Sequence, residues 1–212
     1  MTSALERLQS GDTFDDETFT GLDLQGVTLA DKEFYGCTFE HCHLQETRWT
    51  GAKLEACVFR SSDLTRASFA RASLRDVKFE GAKLMGIDWS TVSSNPELTF
   101  TECNLRYAVF VDMSLRRTHF ARCSAREVNF FDTDLSEADF TGTDLGGANF
   151  RGCTLTRTDF QGATALFLDP ARNKLKDTGV PVDAAVQLAQ SLGMRVAGYG
   201  DVEAPAPKRA RR

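Results

Sequence analysis

No stretch of this 212-residue sequence approaches the ~18 consecutive apolar residues that a membrane-spanning helix needs, so no membrane span is expected. The opening MTSALERLQS lacks the apolar core of a secretory leader, which makes the cytoplasm the expected compartment. Histidine is scarce: His41, His43 and His119 stand without the spacing of metal ligands. The signatures G-x-S-x-G, G-x-x-x-x-G-K-[ST], H-E-x-x-H and G-x-G-x-x-G are all missing. The expectation is therefore a protein that binds rather than catalyses, with no cofactor and no metal.

What is abundant is a period of five. From Glu137 to Thr164 the chain reads EADFTGTDLGGANFRGCTLTRTDFQGAT, with a large apolar residue at each centre: Phe140, Leu145, Phe150, Leu155 and Phe160. Two residues before each centre stands a small residue, Ala138, Thr143, Ala148, Cys153 and Thr158. The same spacing runs from Phe14 to Trp89, breaks over STVSSNPELT (90–99), and resumes one residue out of phase at Phe100. Of 29 centres, 28 are Leu, Phe or Trp, and they hold 14 of the 16 phenylalanines, so chance does not explain the pattern. Five matches neither the helical period of 3.6 nor the strand alternation of two; a short extended piece followed by a turn does match. Ten of the 16 glycines fall two residues after a centre, where a tight turn requires positive φ.

All six cysteines, Cys37, Cys42, Cys57, Cys103, Cys123 and Cys153, occupy the small position two before a centre. There a thiol acts as a compact hydrophobe. Buried, reduced cysteines are expected.

The unit resembles the A(D/N)Lxx repeat of the pentapeptide repeat family. The resemblance implies an all-β solenoid, a right-handed quadrilateral β-helix of 20-residue coils closed by a short C-terminal α-helix. On that frame residues 1–11 form an N-terminal cap, 12–164 the β-helix, 165–197 a helical capping and dimerisation segment, and 198–212 a disordered basic tail. Seven coils stacked at about 4.8 Å make a rod about 35 Å long.

After Ala163 the repeat signature ends. Pro181 suits a helix start, and Val182, Ala185, Val186, Ala189 and Leu192 follow at helical spacing before Gly193. The ending DP..N.LK and P...A..L..SLG resembles the quinolone- and albicidin-resistance branch of the family. For that branch the resemblance implies binding to DNA gyrase or topoisomerase IV, protection from a topoisomerase poison, and homodimerisation through those five helical residues.

Charge bears on the same reading. The formal charge is −5, and removing Lys208–Arg212 leaves 21 basic against 30 acidic residues. Between Glu127 and Phe150 there are six acids, Glu127, Asp132, Asp134, Glu137, Asp139 and Asp144, and no Lys or Arg. Over ~6 Å of rod this rivals duplex DNA, which carries about one charge per 1.7 Å. A spacing of 20 also stacks Asp112 on Asp132 and Asp139 on Asp159. From Arg60 to Leu84, by contrast, six bases outnumber three acids. The expected partner surface is thus a DNA-mimicking zone of Asp112, Asp132, Asp134, Glu137, Asp139, Asp144 and Asp159, with a projecting loop at Ser93, Ser94, Asn95, Pro96, Glu97 and Leu98. Direct nucleic-acid binding is not expected. The alternative is a structural scaffold without a topoisomerase partner.

Overall fold

The computed structural model describes residues 4–93 and 95–199; Ser94 and the basic tail beyond Tyr199 lie outside the described residues. Pairing is parallel, and partners are 20 residues apart, or 21 across the break: Phe14 with Phe34, Phe19 with Phe39, Phe79 with Phe100, Phe110 with Phe130. A residue therefore meets its counterpart one coil on, and the chain climbs as a parallel β-solenoid of about seven turns. Each coil contributes four centres, which define four faces. The first begins Phe14, Phe34, Leu54, Leu74; the second Phe19, Phe39, Phe59, Phe79; the third Leu24, Leu44, Leu64, Leu84; the fourth Leu29, Trp49, Phe69, Trp89. All of these centres are buried.

Stacking of like on like makes the core. On the second face eight phenylalanines, Phe19 to Phe160, stack in one unbroken column with centroid spacings from 4.6 to 5.4 Å. The fourth face carries a second column from Trp49 to Phe150. Between columns the rings meet edge to face, as Phe120 does with Phe130 at 84°. Both geometries suit the aromatic quadrupole.

The small position two before each centre has a polar duty as well. The thiols of Cys57 and Cys153 lie within hydrogen-bonding distance of the carbonyls of Phe34 and Phe130, 23 residues back, and the hydroxyls of Ser62 and Thr133 donate to Phe39 and Phe110 in the same manner. Cysteine here is a small donor that fits the wall. Burial pushes the Cys57 thiol up to about 12, and all six cysteines are free and buried.

Positive φ recurs two residues after every centre except Trp89, whether the residue is Gly21, Arg66, Tyr107 or Glu137. Glycine is thus favoured there but not required. Its absence of a side chain matters more at Gly152, where a Cβ would stand 2.0 Å from the Asp132 carboxylate of the coil before.

The ends are closed by different means. An N-terminal helix, α1 (Ala4–Ser10), buries Leu8 against the first coil, and Arg7 pairs with Glu17. Lys32, in a nominally inward position, donates to the carbonyl of Gly11 and lies 3.9 Å from Asp12.

At the other end the ladder runs past Thr164, the expected limit. Thr154 bridges Lys174 and Asp159 bridges Gly179, while Asn173 takes the small position, donating to the Phe150 carbonyl and accepting from the Cys153 amide. A second helix, α2 (Val182–Ser191), follows, and none of its residues is buried.

The break does not project. Phe79 stacks on Phe100 across 21 residues at 5.4 Å, so only one residue is inserted. The segment turns through Trp89–Thr91, capped by Asp88, and stays on the wall: Ser93 donates to Ala72 and Glu97 to Leu74. Both Pro96 and Leu98 are buried, and Pro96 reaches the surface only at the edge of a cleft. Leu98 takes the ordinary inner position two before Phe100, in register with the inner Val77, and so returns the chain to the wall.

Trp49 and Trp89 form an internal comparison. The indole of Trp49 donates to Thr47 Oγ1 at 2.9 Å, whereas Trp89 has Ile87 at that position and its buried Nε1 has no partner among the described residues. Thr47→Val would create the same orphan at Trp49. A loss of about 1–3 kcal/mol is expected, read as a lower denaturation midpoint with unchanged secondary structure.

Candidate partner-binding surface

The acidic run wraps around the rod instead of lining one side of it. Asp134 and Glu137 lie on or beside the first face, Asp139 and Asp159 on the second, and Asp144 on the third, as their bridges to Ser114, His119 and Ser124 show. Asp112 and Asp132 occupy the corner between the fourth and first faces, two residues after Phe110 and Phe130.

Most of these carboxylates also meet a cation from a neighbouring coil. Asp134 pairs with Arg116 at 3.2 Å, Asp144 with Arg126 at 3.1 Å and Glu127 with Arg106 at 3.7 Å; Asp139 faces His119 at 3.3 Å. Glu137 is held by three arginines, Arg116, Arg117 and Arg157. The expectation of a locally bare, DNA-like charge is corrected by this pairing. A run without Lys or Arg in sequence is flanked by arginines in space, because its neighbours are 20 residues away. The rule holds along the rod: Glu40–Arg60–Glu80 and Arg117–Glu137–Arg157 alternate in sign from coil to coil.

Asp112 and Asp132 make no ion pair among the described residues. Asp112 shares a cleft of about 120 Å³ with Ser93, Asn95, Pro96 and Met113. The structure thus brings the break and one acidic ladder to a single corner. On the outer surface beside that corner, Val109, Val111 and Phe131 are half-buried, and Val111 is in register with Phe131. This apolar strip was not anticipated, though Phe131 is one of only two phenylalanines outside the repeat centres.

At the C-terminal end, α2 divides the residues expected to dimerise. Val182 and Leu192 are about 60 % exposed, at 62 % and 61 %, and Val186 and Ala189 are half-buried. Ala185 lines a cleft facing the last coil together with Ala184 and Leu188. Phe167, Met194 and Tyr199 add further exposed apolar surface. Among the described residues no cluster of His, Cys, Asp or Glu is arranged to hold a metal, and no helix is long and apolar enough to cross a membrane.

Hydrogen bonds from Arg157 and Arg117 hold the Glu137 carboxyl down to about 2, against an ordinary value of 4.5. A depressed folded-state value gives stability that is present above pH ~4.5 and lost as pH falls towards 2. Glu137→Gln should flatten the fall in melting temperature between those limits relative to the parent protein. Added salt should shrink the difference, because the pair is exposed.

Comparison with known proteins agrees with this architecture. A trypsin-treated form of QnrB1, described as a plasmid-mediated fluoroquinolone resistance protein, superposes with a TM-score of 0.55 at 21% identity, covering 88% of this chain and 100% of that one. HetL, a pentapeptide repeat protein involved in heterocyst differentiation regulation from the cyanobacterium Nostoc sp. strain PCC 7120, gives 0.55 at 17% identity over 82% and 90%. At these identities the likeness is one of fold. No curated protein matches significantly. The model of the pentapeptide repeat region matches residues 32–95 and 96–166, well over half of the sequence, and the chain belongs to the pentapeptide repeat family.

Proposed function

We propose that this chain is a non-catalytic binding protein that engages a type II topoisomerase, DNA gyrase or topoisomerase IV, and shields it from a poison. The observation that carries the reading is the convergence of the break with Asp112 and Asp132 at one corner, beside the apolar strip of Val109, Val111 and Phe131. A rigid rod with one irregular, mixed apolar and acidic corner has the character of a protein-contact surface. The C-terminal resemblance supports the partner class, and the fold is one that a fluoroquinolone resistance protein also uses.

Contact at this corner replaces bulk charge as the basis of recognition. Asp134, Glu137, Asp139 and Asp144 remain part of the proposed DNA-like zone, but their cations reduce what they offer to a DNA-binding saddle. Two chains would join through Val182, Val186, Ala189 and Leu192 of α2, placing their acidic coils on either side of a twofold axis.

The pairing of charges favours a second reading, a scaffold module with no topoisomerase partner. A supercoiling assay with a poison separates the two. Rescue at low protein concentration followed by inhibition at high concentration is expected, and Asp112→Lys/Asp132→Lys should lose rescue while keeping the fold. Absence of any effect on both enzymes would leave the scaffold reading. For the dimer, Leu192→Glu should halve the mass seen by sedimentation without changing the β-sheet spectrum; an unchanged mass would remove α2 from the interface.

A further inference from the structure

The fourth face and the corner that follows it change character at the break. Side chains immediately after the centres of that face point outward, and in coil order they are Ala30, Thr50, Ala70 and Ser90, then Val111 and Phe131. A wall of small residues below the break therefore continues as a bulky apolar one above it. Both halves stand on a single column of buried rings from Trp49 to Phe130.

The corner changes sign at the same level. Arg71 is followed by Thr91 and then by Asp112 and Asp132, all of them exposed. Elsewhere on the rod a charge meets its opposite one coil away, as Arg60 meets Glu80 and Arg117 meets Glu137. Arg71 has only Gly51 and Thr91 in the neighbouring coils, and Asp112 has Thr91 and Asp132. Neither makes an ion pair among the described residues, nor do Asp31 at the lower end of the wall and Arg151 at the upper.

Size and charge are thus both reversed across the break. A surface of that kind is complementary to itself when turned end for end, which is the condition for an isologous pairing about a twofold axis. With the axis perpendicular to the rod at Thr91, residues an equal number of coils above and below it come together. Arg71 of one copy then faces Asp112 of the other, and Arg151 faces Asp31. Val111 and Phe131 lie over Ala70 and Thr50, so that bulk meets hollow, and Asp132 comes opposite the bare corner at Gly51. Asp88, the acid closest to the axis, lies in the row before the centres, at the rim of this contact. It is turned into its own segment, where it accepts from the amide and the hydroxyl of Ser90.

We propose that this wall binds a second copy of the chain in antiparallel fashion, with Arg71 and Asp112 as its charge pair and Val111 and Phe131 as its apolar contact. The overlap is about 30 Å long and roughly 13 Å wide, less than the ~800 Å² per partner of a stable complex, so the dimer is weak and dissociates on dilution. The inference does not rest on the topoisomerase reading, although the paired form covers the corner proposed for that partner. It is also separate from pairing through α2.

Sedimentation of the full chain over a concentration series tests it, in a Leu192→Glu background that keeps α2 out of the measurement. A rise from monomer towards dimer mass is expected, and added salt should weaken it. Arg71→Glu and Asp112→Arg should each weaken association about tenfold or more, since each sets like charges opposite one another at two places. An equimolar mixture of the two variants should associate as the background chain does, because every altered charge then meets its opposite in the other chain. The double variant should do the same alone. Arginine and glutamate already hold such positive-φ corners at Arg66, Arg117, Glu46 and Glu137, so the melting temperature should change little. Monomer mass at every concentration, association indifferent to either reversal, or a loss that mixing does not rescue would each overturn the proposal.

Discussion

Everything in this molecule depends on the in-register pairing of residues 20 apart. Backbone amides and carbonyls of one coil bond those of the next, so a side chain is always stacked on its own counterpart. Column-by-column consistency is then the only packing rule the core must satisfy. Phenylalanine on phenylalanine, leucine on leucine, and a small thiol or hydroxyl beneath a carbonyl each repeat a solution already found one coil earlier. Because each coil touches only its neighbours, stability accumulates along the axis as in other repeat architectures.

That constraint explains what could be read in advance. The centres, the small inner residues and the cysteine positions are one-dimensional signals, and they map directly onto the buried interior. The lost signals are those that disguise the period. Asn173 and Thr178 fill inner positions of a further partial coil, and Leu175 and Val180 stand at centre spacing after them, but the stretch 165–172 with its Asp169-Pro170 turn interrupts the period and hides it. Leu98 returns the chain to the wall, which composition around Asn95-Pro96 gives no reason to expect.

Charge illustrates a different gap between chain and fold. The charged residues in the 24-residue window from Glu127 to Phe150 are acids alone, yet they fall on three faces and at three corners. The compensating arginines were readable, since Arg117, Glu137 and Arg157 stand 20 apart, as do Glu40, Arg60 and Glu80. Opposite charges had to be sought at the coil period as well as like ones. The cleft beneath α2 was not readable at all, because its volume depends on how far a short helix stands from a coil.

The alternating columns have a consequence for how this rod is felt at a distance. Successive charges of opposite sign, one coil apart, cancel to leading order, and the field that remains is that of higher multipoles. Such a field decays within roughly the spacing of the charges, short of the Debye length of about 8 Å at physiological ionic strength. A partner approaching the paired faces therefore senses shape and hydrogen-bonding detail only near contact. At corners without an ion pair, such as that of Asp112 and Asp132, a longer-ranged signal escapes, so orientation matters to an encounter beside total charge.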